Sequence, residues 1–401
     1  MAAALKSLWG KVGGGAAASQ HPDGFSKAPA SDQLFPKTNP TVDGEECLRD
    51  CETCTIKYPR KWSVDEDDDL YGHVKGWSTH MVVATGKSDW VRDVADEKGS
   101  IMEAVDKCGI KPSNGKMMLS ASDMPVPNEH HTQGAEAATT VLLLPSFTIF
   151  DNVTPSLVPA LIQNYVDLSP TNTTPLIHSD PPQRPPSNHS AASSHKSHKS
   201  HHHRNNNDNT HPAPDPSALI PRDCPHDYLI MLCSHKTRDA RCGQSAPLLR
   251  REFERHLRPL GLYRDLHDER PGGCAVYFIN HVGGHKYAAN VIIYRRVGSA
   301  GVLAPPVVEQ EKAMNGGGGG GGESNGHAGG EAVEEEDGNG GEARAPSKPP
   351  IREAAQCMWL ARVRPEDCEN IVKYTILQGK LVKPERQLRG GFDRGRQLVS
   401  W

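Results

Sequence analysis

Two long low-complexity segments interrupt the 401-residue chain and limit how much of it can fold into a compact core. The first, residues 171–220, is rich in His, Ser, Asn and Pro and has no periodic apolar face. The second, residues 298–350, contains seven consecutive glycines and an acidic run. Such segments bury too little apolar surface to offset the conformational entropy lost on folding. We therefore expect a disordered linker and a disordered insertion, with folded units in residues 33–170 and 221–395.

Composition and charge narrow the class of protein. Apolar residues make up 36% of the chain and aromatic residues 5%, which agrees with two modest folded units. A formal charge of −4 gives no positive field that would recruit nucleic acid or an anionic membrane. No apolar run approaches the roughly 18 residues of a membrane-spanning helix. Ten cysteines in so long a chain favour intracellular ligands or redox groups over a secreted disulfide scaffold.

Both folded units show an α/β pattern. In the first, residues 78–85 and 139–150 predict strands, and residues 94–109 and 155–166 predict helices. In the second, the predicted elements alternate along the chain as strand 228–233, helix 246–261, strands 274–280 and 290–296, the insertion, strand 357–363 and a helix that Pro365 opens and Gly379 ends. This order resembles a thioredoxin-like layer sandwich.

Four potential metal ligands follow the predicted strands of the second unit. Cys233 and Cys242 lie nine residues apart in "CSHKTRDARCG", and His281 and His285 lie four apart in "HVGGHKYA". If the two loops meet at one edge of the sheet, thiolates and imidazoles converge in a set that suits zinc, iron or an iron–sulfur cluster. Structural zinc sites usually take cysteines two to four residues apart. The wider loop here favours a [2Fe–2S] cluster, while zinc and a set of buried thiols with ordinary histidines remain alternatives.

The stretch "LCSHKTRDARCG", followed by "HVGGHKYAANVIIY", resembles the fungal sucrase/ferredoxin-like family of thioredoxin-fold [2Fe–2S] proteins. The resemblance covers roughly residues 30–170 and 221–395. It implies a degenerate thioredoxin-like domain in residues 33–170 and a thioredoxin-like ferredoxin domain in residues 221–395. It also implies that the cluster ligands are Cys233, Cys242, His281 and His285.

The same resemblance implies an electron-transfer protein of mitochondrial redox homeostasis that influences mitochondrial protein import. The chain shows no pair of carboxylates suited to sucrose hydrolysis, so we expect an electron carrier with an unknown donor or acceptor protein. Two alternatives stay open. One is a thiol-disulfide oxidoreductase that uses Cys51/Cys54 or Cys233/Cys242, and the other is a zinc-stabilised interaction module.

Thioredoxin-like ferredoxins more widely have cysteines at all four ligand positions, and the two histidines in this chain would change the charge of the site. An oxidised [2Fe–2S] core of formal charge +2 is neutralised by two thiolates, so an electron is added more easily than with four thiolates. We expect a raised reduction potential and, through the second nitrogen of each imidazole, a potential that depends on pH. Basic residues beside the ligands would support the added charge, guide an acidic donor or remain solvated in the loops: Lys236, Arg238, Arg241 and Lys286.

A second cysteine group, "CLRDCETC", places Cys47, Cys51 and Cys54 before the first predicted strand. These thiols are possible redox groups or metal ligands, with His73 and His80 as candidate fourth ligands, or unremarkable reduced cysteines.

The chain termini carry two opposed targeting signals. Residues 1–32 are predicted to be disordered or to form a mitochondrial presequence, because the first 22 residues contain lysines and no acid. The tail, residues 396–401, ends in Trp401, which resembles the terminal tryptophan by which some cytosolic proteins recruit iron–sulfur cluster targeting machinery. A frayed tail is the alternative for Trp401. We therefore expect a mitochondrial location, with a cytoplasmic one as the alternative.

Overall fold

The computed structural model of the protein describes residues 24–126, 137–176, 218–299 and 352–401. The predicted presequence, most of the predicted linker and nearly all of the predicted insertion lie outside these residues.

Mixed β-structure dominates this part of the chain. The strands are β1 (Ser26–Lys27), β2 (Thr79–Ala84), β3 (Met117–Ser122), β4 (Thr139–Leu144), β5 (Thr148–Val153), β6 (Pro221–Asp223), β7 (Tyr228–Cys233), β8 (Tyr263–Arg264), β9 (Cys274–Ile279), β10 (Val291–Arg296), β11 (Ala354–Leu360), β12 (Leu388–Asp393) and β13 (Leu398–Val399).

Helices are few and mostly short. They are α1 (Ser31–Leu34), α2 (Pro40–Asp43), α3 (Ile101–Lys107), α4 (Val158–Leu161, continued by the π-helical turn Ile162–Val166), α5 (Ala240–Leu257), α6 (Cys368–Asn370, continued by the π-helical stretch Ile371–Ile376) and α7 (Pro384–Gln387).

All described strands belong to one sheet. Its order is β1-β13-β12-β11-β10-β7-β9-β3-β2-β4-β5-β6, and β8 pairs with β9. The parallel pair β7–β9 lies near the centre, and antiparallel β10 and β11 extend it on one side. A single pairing, Ser122 opposite Ile279, joins the strand group β3-β2-β4-β5-β6 to the group that runs from β1 to β9 in the sheet order. The protein is therefore mixed α/β with a large central sheet. Its division into two thioredoxin-like domains stays a prediction.

Apolar side chains cover both faces of the sheet. Along β7, Ile230 and Leu232 belong to one core cluster, and Leu229 and Met231 belong to the other. This confirms the prediction that residues 228–233 form a strand buried on both faces. The α5 helix packs on the first cluster through the predicted apolar face, Leu249, Phe253 and Leu257, all fully buried.

Two helix predictions differ from the structure for local reasons. The predicted helix 94–109 is broken, because Gly99 adopts a positive φ of 73° and Ser100 caps a new helix by accepting a hydrogen bond from the Glu103 amide. The α5 helix begins six residues before the predicted start at 246. The Asp239 side chain caps it by accepting from the Arg241 amide, and Pro247 is accommodated inside it.

Ordered structure also reaches into segments that we expected to be disordered. The short β1 strand pairs in parallel with β13, so residues before 33 and in the C-terminal tail both belong to the sheet. The Trp401 ring packs on Trp77 at a centroid distance of 4.9 Å. Within the described residues, no helix combines the length and the apolar character that crossing a bilayer requires.

Candidate metal centre

The sheet brings the two predicted ligand pairs to one edge. The β7 strand ends at Cys233, which lies opposite Ile279, the last residue of its parallel neighbour β9. Because parallel strands end at the same edge, the chain after β9 reaches His281 beside the cysteine loop. Cys242 lies in the first turn of α5, where its amide donates to Asp239 O at 3.1 Å.

Cys233 and Cys242 form a buried thiol pair, 1% and 0% exposed. A hydrogen bond from Cys242, assisted by His281, lowers the pKa of Cys233 to about 5 despite burial. The same hydrogen bond and burial raise the pKa of Cys242 far above its usual range. The hydrogen bond thus favours the thiolate form of Cys233. A thiolate is the form that binds metal.

The two predicted histidine ligands lie together next to this pair. The rings of His281 and His285 are 5.3 Å apart between centroids. His281 Nδ1 is buried and has no hydrogen-bond partner in the described structure, which is unusual for a buried polar atom and leaves it able to bind a ligand. His285 is exposed. Between them Gly283 and Gly284 have φ values of 89° and 68°, the left-handed conformation that the predicted tight bend requires.

A buried arginine supports the histidine loop, and the sequence analysis did not identify it. Arg389, on β12, donates from Nη1 to Gly283 O at 2.9 Å and to Asn290 Oδ1 at 2.8 Å. Its guanidinium stacks on Trp359 at 4.2 Å from the ring centroid. Burial lowers the pKa of Arg389 to about 10, with Tyr287 and Cys233 opposing that shift. Arg389 thus remains a cation at neutral pH beside the thiolate. The surrounding stretch "LRGGFD" shows no apolar alternation, so no strand signal in the sequence would have placed Arg389 at the site.

A segment from the first half of the chain covers the cysteine loop. We call residues 62–68 the acidic strap. Trp62 packs against the apolar cluster that contains Cys233 and Cys242, and its indole N–H donates to Arg241 O at 3.3 Å. Arg241 in turn donates to Ser63 O at 3.4 Å.

The acidic strap also holds the histidine loop. Its Asp65 amide donates to Lys286 O at 2.8 Å. Asp68 forms an ion pair with Lys286 and accepts a hydrogen bond from the Tyr287 hydroxyl at 2.5 Å. Buried Arg362 donates to Asp65 O at 2.7 Å and to Asp68 O at 2.8 Å. The two ligand loops are therefore fixed by one connected set of contacts.

Most of the basic residues that we expected near the ligands have structural partners. Arg241 pairs with Asp239 at 2.9 Å, and Lys286 pairs with the strap. Arg238 donates to Arg92 O at 3.2 Å. These contacts favour a role in shaping the loops.

The second cysteine group lies elsewhere, and its neighbours differ from those proposed. His80, one of the proposed fourth ligands, is buried, and both of its ring nitrogens have hydrogen-bond partners: Tyr294 Oη at 3.0 Å and Ser120 Oγ at 2.9 Å. Cys51 instead belongs to a group with His256 and Glu369, whose ligand atoms all lie within 4.8 Å of one another. It is the one such group of three or more within the described ranges, so the four predicted cluster ligands are spread more widely.

Comparison with known proteins agrees with the predicted family. The family model described as sucrase/ferredoxin-like matches residues 70–390. Actin patches distal protein 1 of Saccharomyces cerevisiae is 55% identical over 67 residues, which cover 17% of this chain and 21% of that protein. Altered inheritance of mitochondria protein 32 of Clavispora lusitaniae is 27% identical over 158 residues, 39% of this chain and 33% of that protein.

The same-named protein of Meyerozyma guilliermondii is 38% identical over 74 residues, 18% of this chain and 23% of that protein. The matched segments thus span a third or less of each of these curated relatives. No solved structure matches the chain significantly. Because the family model covers most of the sequence, the protein belongs to the sucrase/ferredoxin-like family.

Proposed function

We propose that the protein is an electron carrier with a [2Fe–2S] cluster held by Cys233, Cys242, His281 and His285. The observation that carries this proposal is geometric: two buried thiols, Cys233 and Cys242, lie in one cluster at the sheet edge that also holds the neighbouring rings of His281 and His285. The family membership supports it at the level of a ferredoxin-like protein.

The spacing of the ligands supports a dinuclear cluster over a single zinc ion. A tetrahedral zinc ion holds its ligands about 3.5–4 Å apart, whereas no three of the four predicted ligands meet even the 4.8 Å limit. They instead form two pairs, one of hydrogen-bonded thiols and one of neighbouring imidazoles. Two cysteines on one iron and two histidines on the other is the pattern of Rieske-type centres.

The bound cluster would supply one-electron redox chemistry, and the protein residues would set its conditions. Cys233 provides a ready thiolate, because its pKa is lowered to about 5. Arg389 places a buried cation beside the site, which favours the more negative, reduced state. The acidic strap limits access of water to the cysteine side, while exposed His285 leaves a route for protons and for a partner protein.

The cellular setting is also a proposal. The names of several relatives link the family to mitochondrial inheritance, and we infer a role in mitochondrial redox homeostasis, with the cytoplasm as the alternative location. Docking to cluster-targeting machinery through Trp401 would require its ring to leave Trp77, on which it packs. Imaging the tagged protein with and without residues 1–25 tests the location.

Spectroscopy of anaerobically purified protein tests the proposed cofactor. We expect two irons and two sulfides per chain, visible charge-transfer bands and a rhombic EPR signal after reduction. Cys233→Ser should abolish these signals, whereas Cys274→Ser, at a buried strand cysteine away from the site, should retain them. Colourless protein with zinc at these four residues would support the interaction module. Metal-free protein with a titratable Cys233–Cys242 disulfide would support the oxidoreductase.

A further inference from the structure

We propose a second, separate metal site, in which Cys51, His256 and Glu369 bind a zinc ion. The three side chains come from three distant parts of the chain: the loop after residue 48, the last turn of α5, and α6. Their ligand atoms lie within 4.8 Å of one another, and Cys51 Sγ is 3.9 Å from His256 Nε2.

These distances suit a single zinc ion. With Zn–S near 2.3 Å and Zn–N near 2.0–2.1 Å, tetrahedral geometry separates sulfur from nitrogen by about 3.6 Å. The observed 3.9 Å therefore needs a movement of only a few tenths of an ångström. Thiolate, imidazole and carboxylate together are ligands that zinc accepts, whereas Ca²⁺ and Mg²⁺ prefer oxygen alone. Three protein ligands leave one position for water.

The protein framework holds the cysteine loop in place without the metal. The Cys51 amide donates to Glu366 O at 3.0 Å, and Asn370 Nδ2 donates to Arg49 O at 2.7 Å. Both partners flank Glu369 in sequence, so the cysteine loop is hydrogen-bonded to the segment that carries Glu369. Cys51 is 9% exposed, and the His256 side chain is 13% exposed. A small ion can therefore enter the site, while solvent is largely excluded from the sulfur.

The contacts of His256 identify the ring nitrogen that faces the proposed site. Arg255 Nη2 donates to His256 Nε2 at 2.9 Å and to Cys51 Sγ at 3.3 Å, so Nε2 is the acceptor nitrogen of the ring and the guanidinium lies between two of the proposed ligand atoms. Glu252 lies 3.5 Å from the same nitrogen and also pairs with Arg255. A zinc ion would therefore displace the guanidinium from both Nε2 and Cys51 Sγ, and Arg255 would keep its ion pair with Glu252.

Cys54 is adjacent but is not part of the proposed ligand set. Its thiol donates to Ile56 O at 3.5 Å, and it lies outside the group of three ligand atoms. This gives a closely matched control within the same sequence motif.

The proposed zinc site is independent of the proposed cluster. Cys242 lies in the first turn of α5 and His256 in its last turn. His256 follows Cys242 by fourteen positions, which correspond to about 21 Å along the helix at about 1.5 Å per residue. Zinc and iron contents therefore report on the two sites separately.

Metal analysis of the full-length protein tests the zinc site. We expect one zinc per chain that survives gel filtration, with zinc lost in Cys51→Ser, His256→Gln and Glu369→Gln while iron content and visible absorbance stay unchanged. Cys54→Ser and Cys108→Ser should retain zinc. A folded wild-type protein without zinc, zinc that is unaffected by all three ligand changes, or zinc loss in Cys54→Ser would overturn the assignment.

A protection experiment on the wild-type protein avoids any folding defect of the variants. Metal-stripped protein is alkylated with iodoacetamide before and after addition of zinc alone, and labelled cysteines are mapped by mass spectrometry. Zinc should slow alkylation of Cys51 at least about tenfold and leave Cys108 unchanged. Equal labelling of Cys51 with and without zinc would contradict the proposal.

Discussion

Replacing Arg389 by methionine should lower the reduction potential of the proposed cluster. The guanidinium contacts Gly283 O and is so close to Gly284 that a Cβ there would overlap it, and His285 is the next residue. The Cα of His285 lies about 3.8 Å from that of Gly284, and the imidazole extends further. The Arg389 charge is therefore on the order of 10 Å from the proposed ligand atoms. A unit charge at about 10 Å and an effective dielectric constant of about 20 contributes about 1.7 kcal/mol. For one electron this corresponds to about 70 mV.

The assay is a redox titration followed by EPR on Arg389→Met and Arg389→Lys. Lysine keeps the positive charge but cannot reproduce both hydrogen bonds of the planar guanidinium. We expect a potential about 70 mV lower in the methionine variant and a much smaller shift in the lysine variant. Both variants should lose the cluster faster, because the Gly283 carbonyl loses a donor that anchors the histidine loop. An unchanged potential in Arg389→Met with full cluster content would refute the reasoning.

Three further outcomes follow from the same contacts. His285→Cys should preserve a cluster and lower its potential, because a third thiolate adds a negative charge to the ligand set; loss of all metal would contradict its assignment. The wild-type potential should fall with rising pH by up to about 59 mV per unit, and a flat titration between about pH 6 and 10 would argue against imidazole ligation. Gly76→Ala should displace the Trp401 ring, which a Cβ there would overlap, and red-shift tryptophan fluorescence as that ring leaves Trp77. Gly395→Ala, where a Cβ has room, is the control, and an unshifted Gly76→Ala spectrum would show that the tail is already released.

Local patterns predicted the second half of the chain well. The runs 228–233, 274–280 and 290–296 each became a strand within one residue of the predicted bounds, because continuous apolar stretches of this length fit a doubly covered sheet. The convergence of the two ligand loops followed from the same strands, since parallel neighbours end at one edge.

Long-range contacts set the features that sequence patterns missed. The β12 strand contains two glycines and an arginine and has no apolar alternation, so only its pairing with β11 reveals it. The grouping of Cys51 with His256 and Glu369 joins residues about 200 and 320 positions apart in sequence. The joining of the two strand groups into a single sheet depends on one pairing between β3 and β9, which no local signal encodes.

The acidic strap bears on what a shortened version of this protein could do. Residues 62–68 precede the linker, yet their contacts close the cysteine loop built by the residues after it. A fragment beginning at residue 218 would keep all four proposed cluster ligands. It would lack the acidic strap, so the sulfur ligands would be exposed to oxygen and chelators. The earlier half of the chain therefore shields the proposed centre, and we expect a fragment cut at residue 218 to lose its cluster in air faster than the full chain does.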